Sequence, residues 1–157
     1  MFVKFWGTRG SIPVPGQSTI KYGGNTPCVE LRTDDNHLII LDAGSGIREL
    51  GKSLINEKTK NPIDIFISHY HWDHIQGIPF FLPLYEKDYK ITFYGQSADG
   101  IEIETLLKSQ MARSFFPIEI GEIRNDLTFC KILSKNTYVI GDSNVKTFTA
   151  NHSSPTL

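Results

Sequence analysis

Short apolar runs broken by turn residues fill the chain, with periods that switch between two and about 3.6 residues. Phe2 to Trp6 reads as a strand closed by Gly7. Val29 to Thr33 and His37 to Leu41 flank Asp34-Asp35-Asn36, a turn signal between two β runs. His37 falls at that turn and is expected to be solvated. Ile47 to Asn56 carries helical spacing at Ile47, Leu50, Leu54 and Ile55. Ile63 to Ile67 lacks a clear solvent-facing alternation, as a strand buried on both sides would. Lys90 to Tyr94 predicts another strand. Asp99 is placed to cap a helix to about Met111, with Ile103, Leu106, Leu107 and Met111 on one face. Leu127 to Leu133, Thr137 to Ile140 and Val145 to Ala150 read as further strands. Strands mixed with a few helices predict an α/β, or layered α+β, domain.

The bulk properties narrow the function classes. The 157 residues are enough for a single domain with a real core. The net charge of −1 supplies no global field toward nucleic acid or membrane. No apolar run approaches the roughly 20 residues that span a bilayer, and the first residues do not form a signal peptide. Cys28 and Cys130 lie far apart without a secretory signal, so both are expected to be reduced, buried thiols in a cytoplasmic protein.

The chemistry concentrates in Ser68-His69-Tyr70-His71-Trp72-Asp73-His74, directly after the Ile63 to Ile67 strand. Three of the chain's five histidines and one carboxylate fall within these residues. Imidazole and carboxylate suit Zn²⁺, Mn²⁺ and Fe²⁺. On an extended chain His69 and His71 share one side and can grip one ion. Asp73 and His74 are adjacent, so the chain must turn there, and they can face a second position. Two ions about 3.5–4 Å apart would fit that arrangement. A surface loop rich in histidine is the ordinary alternative, and the strand before it and Gly77-Ile78-Pro79 after it weigh against that.

This stretch resembles the His-x-His-x-Asp-His signature of the metallo-β-lactamase superfamily. Phe5-Trp6-Gly7-Thr8-Arg9-Gly10-Ser11, Tyr22-Gly23-Gly24-Asn25-Thr26-Pro27-Cys28 and Leu38-Ile39-Ile40-Leu41-Asp42-Ala43-Gly44-Ser45-Gly46 are similar to its phosphodiesterase-like branch. That branch includes ribonuclease Z and the phosphoribosyl cyclic phosphate phosphodiesterase. The resemblance implies an αββα sandwich with metals at the seam between two halves. It implies that His69, His71 and His152 hold one ion, that Asp73 and His74 hold a second, and that Asp73 accepts a hydrogen bond from the attacking water. It also implies a second half that supplies a bridging aspartate and a final histidine. The chain stops at Leu157, before either. We therefore expect one domain over residues 1–157 with the C-terminal half truncated, completed by a missing half or by self-association.

The expected activity is phosphodiester hydrolysis by metal-bound hydroxide, on a small diester or on RNA. A hydrolase of thioesters, lactones or β-lactams keeps the metals and changes the substrate. A truncated, non-catalytic metal-binding fragment is the third reading. Asp42 ends an apolar strand before Gly44-Ser45-Gly46; it either forms the turn or orients the ligand loop, and the resemblance favours the second. Arg9 is equally a phosphate contact or a structural residue. Trp72 is expected to pack inside, and Phe115-Phe116-Pro117 either covers the mouth of the site or joins the core.

Overall fold

β-Branched and aromatic runs become strands, and the most apolar of them occupies the middle of the sheet. In a computed structural model that describes residues 1–57, 60–152, 154, 156 and 157, six strands form one sheet in sequence order. They are β1 (Phe2–Gly7), β2 (Cys28–Arg32), β3 (Leu38–Leu41), β4 (Ile63–Phe66), β5 (Lys90–Gly95) and β6 (Asp126–Lys131). β1, β2 and β3 pair antiparallel, and β3 through β6 pair parallel. All four residues of β4 are buried, Asp64 included, as expected of a strand covered on both faces. The parallel connections carry α1 (Gly46–Ile55), the one-turn α2 (Trp72–Ile75) and α3 (Ile103–Gln110). A separate hairpin, β7 (Thr137–Ile140) with β8 (Ser143–Lys146), completes the fold.

The two sheet faces are unequal. Leu38, Ile40, Ile63, Ile65 and Ile67 face α1 and α3 and build the main core with Ile47, Leu50, Leu107 and Phe81. The other face has a smaller cluster of Ile39, Phe66, Ile132 and Ile140, with Tyr94, Tyr138 and Val145 beside it. That hairpin cover leaves part of the first strands bare. Phe5, opposite Val29, and Leu41, also opposite Val29, form an apolar row on this face, and Phe5 is 65% exposed. No helix among the described residues is long and apolar enough to cross a membrane.

Most predicted elements form within a residue or two. Three details differ for physical reasons. Asp99 does not cap α3: it sits at φ 50° in a turn between the paired Ala98 and Ile101, and the helix begins at Ile103. The last predicted strand ends at Lys146, after which Thr147 bonds back to Asn136 and only Ala150 pairs, with Thr156. His37 is not solvated; its Nε2 meets the buried Asp64 carboxylate on β4. Cys28 is fully buried as expected, whereas Cys130 is half-buried, and both are free thiols.

Candidate metal centre

The site grows from the C-terminal ends of β3 and β4, where parallel strands deliver their loops to one edge. His69 and His71 follow β4 and precede α2, whose N-terminal cap is His71. The one-turn helix is the turn that adjacent Asp73 and His74 require. His152 comes from the far end of the chain. Its loop is closed by the Ala150–Thr156 pairing and fastened to the motif where Leu157 N–H donates to the Ser68 carbonyl at 3.1 Å. Nitrogens of His69, His71 and His152 thereby lie within 4.8 Å of one another. The rings of His71 and His152 stand 4.6 Å from that of His69, centroid to centroid.

The donor set fits a divalent cation. His69 is buried, its Nδ1 meets Ser68 Oγ at 3.0 Å, and its Nε2 has no hydrogen-bond partner among the described residues. A buried polar atom without a partner is costly, and an ion held with the two neighbouring imidazoles would satisfy it. Burial, then the facing His74, His71 and His152, push the His69 ring down to about 4, so at pH 7 it holds the neutral form that ligating a metal would require.

Asp73 and His74 stand beside this cluster. His74 Nδ1 lies 2.8 Å from Asp42 Oδ2, and a carboxylate only accepts, so this nitrogen carries the proton. Its Nε2 is left facing Asp73 Oδ2 at 3.4 Å. Two acceptors that close repel unless a proton or a cation joins them. Burial opposes a charged ring, but Asp42 and then Asp73 lift His74 above its ordinary value, which favours a proton between them. Asp73 is fixed in turn by the Ser11 backbone N–H, 2.9 Å from Oδ2.

The Asp42 carboxylate is engaged on several sides. Besides His74, it accepts from Ser68 N–H at 2.9 Å and Ser68 Oγ at 3.0 Å. It adopts φ 60°, a conformation that Asp tolerates better than most residues. Close packing then locks the loops. A Cβ on Gly44 would collide with the Asp73 carbonyl and Thr26 Oγ1, and one on Gly77 with the Gly44 carbonyl. Ser68 and Ser11 were missed in the sequence. Only the place of Ser68, between a buried strand and the first ligand, hinted at a role. Arg9 bonds the Ile12 carbonyl through Nε, a structural contact. Trp72 does not pack inside as expected: it is 81% exposed, because α2 turns it outward.

The comparisons with known proteins agree with this class of fold. Residues 22–88 match the model of the metallo-beta-lactamase superfamily. The solved structure of the metallo-beta-lactamase fold protein YhfI from Bacillus subtilis aligns over 98% of this chain and 55% of its own, with TM-score 0.65 and 18% identity. Zinc-bound PqqB from Methylobacterium extorquens aligns over 94% and 55%, with TM-score 0.61 and 16% identity. Over residues 22–88 the chain is similar to the metallo-beta-lactamase superfamily, and it shares the mixed α/β fold of these solved structures over the part it spans. Among its curated relatives is the ribonuclease Z of Thermococcus kodakarensis, 28% identical over 99% of this chain and 44% of that protein. The ribonuclease Z of Prochlorococcus marinus is 31% identical over 87% and 42%. The chain thus spans less than half the length of these relatives.

Proposed function

We infer that this chain is the metal-holding part of a divalent-metal-dependent hydrolase that cleaves phosphodiester bonds, in a small diester or in RNA. The observation that carries the reading is the convergence of His69, His71 and His152 around the buried, unpartnered Nε2 of His69. The relatives named ribonuclease Z support a phosphodiester substrate over a thioester, lactone or β-lactam.

His69, His71 and His152 would hold one ion, and Asp73 with His74 would contribute to a second position. Three imidazoles favour zinc and also suit manganese and iron. A bound ion polarises a phosphoryl oxygen and acidifies a water near neutral pH. The chain's own residues do the rest. Asp42 and Ser68 fix the rings of His74 and His69, and Ser11 fixes Asp73. Asp73 is the carboxylate in the site that can orient a water and accept its proton.

One observation favours a narrower second reading. Among the described residues, His69, His71 and His152 are the only group of three or more donors that could hold an ion; Asp73 and His74 alone make a weak second position. The chain by itself would then bind metal without turning over substrate. The test is hydrolysis of bis-p-nitrophenyl phosphate with added Mn²⁺ or Zn²⁺. The chain is assayed beside a version extended by the second half of a ribonuclease Z relative. Metal-dependent turnover by the extended protein, lost in His69→Ala/His71→Ala, supports the hydrolase reading. Cleavage of thioesters or lactones without phosphodiester cleavage would move the assignment to the other substrate class.

A further inference from the structure

The third histidine of the candidate centre is carried by a ribbon that crosses the sheet. Ile132 N–H still donates to the Gly95 carbonyl at 3.0 Å, beside β6; beyond it the chain forms a two-stranded sheet of its own, β7 with β8. The pairing continues past the strands. Lys135 N–H donates to the Thr147 carbonyl at 2.7 Å, Thr147 N–H to the Asn136 carbonyl at 3.0 Å, and Thr149 N–H to Ser134 Oγ at 3.0 Å. Directly after it, Ala150 and Thr156 pair around His152. Residues 133–149 thus form one continuous ribbon, with the Gly141–Asp142 turn at one end and the His152 loop at the other.

The turn end is pinned far from the histidines. Asp142 N–H donates to Asp35 Oδ2 at 3.1 Å, and Asp35 lies in the turn between β2 and β3. The other oxygen of Asp35 accepts from the Thr33 hydroxyl and from His37 N–H, so the carboxylate is held in place. Gly141 sits at φ 57°, and a Cβ there would stand 2.7 Å from Asp35 Oδ2, so this close approach needs glycine. Between its ends the ribbon is thinly attached. Ile140 is the buried residue of β7 and β8, in the cluster with Ile39 and Phe66, and the others are half-buried or exposed. Tyr138 meets Tyr94 edge to face, with centroids 6.4 Å apart. Asp35 precedes β3 and Asp42 follows it, so pin and centre lie at opposite ends of that strand. From His37 to Asp42 an extended chain covers about 16 Å.

We propose that Asp35 is a remote positioning residue for metal binding: by seating the Gly141–Asp142 turn it lays the ribbon on the sheet and so presents His152 to His69 and His71. The proposal rests on the three-histidine reading above. Coupling between two sites is reciprocal, so zinc held through His152 must in turn hold the far turn down.

The first test needs no substitution in the ribbon. Exchange of the Asp142 amide proton is followed by NMR, metal-free and with Zn²⁺. Zinc should slow it about 2- to 30-fold in the native chain and leave it unchanged in His152→Ala. The second test is a double-mutant cycle, with zinc affinity read against a chelator. Asp35→Ala and Gly141→Ala break one contact from opposite sides, and each should weaken zinc binding about 2- to 30-fold. Neither should weaken it further once His152 is Ala, because no third imidazole is left to present. A general loss of stability would lower affinity in both backgrounds, which separates positioning from mere support. Two results would overturn the proposal and leave the metal reading standing. One is zinc binding that depends on His69 and His71 while Asp142 exchange ignores zinc. The other is an Asp35→Ala penalty that persists in the His152→Ala background. Absence of zinc binding by the native chain would overturn both.

Discussion

Asp42 gathers Ser68 and His74 with one carboxylate, so the candidate metal site is only as ordered as this side chain. Asp42→Asn keeps the size and tolerates φ 60°, but one end of an amide donates where both carboxylate oxygens accept. It should lower affinity for the ion by about 10–100-fold, the usual cost of losing a group that orients a ligand. Competitive titration against a zinc chelator measures this, and unchanged affinity would remove Asp42 from its positioning role. The two thiols make a second test. Burial, then Asp42 and Glu30, push the Cys28 thiol far up, and burial with Asp64 raises Cys130. Both should be protonated and slow toward a thiol reagent at pH 7, and react fully once unfolded. Fast native labelling of Cys28 would mean that its surroundings open. At this scale the sequence exposed what is local. His69, His71, Asp73 and His74 are legible because four donors crowd six positions. Ser11, the His37–Asp64 pair and the outward turn of Trp72 were not, since each depends on a partner or a packing face far along the chain.

Helices and strands were legible wherever burial repeats with a fixed period. Ile47, Leu50 and Leu54 of α1 are all buried, and Leu50 is completely so. Leu50→Ala should cost about 2–5 kcal/mol of stability, read as the shift in a urea midpoint. The start of α3 was misread because Asp99 looks like a cap in sequence, while the pairing of Ala98 with Ile101 commits it to a turn. Glycines between elements carry information that periodicity lacks. Gly44 lies under the Asp73 carbonyl, so Gly44→Ala must push the loop after β3 away from α2. We expect about 1–3 kcal/mol of destabilisation, as for other overpacked sites, together with weaker metal binding. Loss of stability without loss of metal affinity would show that α2 is not held in place by that contact.

Across the whole molecule, one sheet face is covered by helices and the other is only partly covered by the β7–β8 hairpin. Phe5, Leu41 and Phe148 remain exposed, although Phe148 follows the hairpin and could have been folded in. Apolar surface of this kind favours association. Sizing at rising concentration should show oligomers, and Phe5→Ser should reduce them; a chain that stays monomeric at all concentrations would contradict this. The sequence indicated the layered fold and the edge where the strands end, but not which part of a face stays bare, because that depends on where the hairpin lands. The same long-range closure brings His152 to His69 and His71, and on it the functional reading depends. The most direct test is the metal content of the purified chain after equilibration with Zn²⁺, compared with His69→Ala/His71→Ala and with His152→Ala. The account predicts about one firmly held ion in the native chain, loss of that ion in the double variant, and markedly weaker binding without His152. Equal metal content in all three proteins would contradict it.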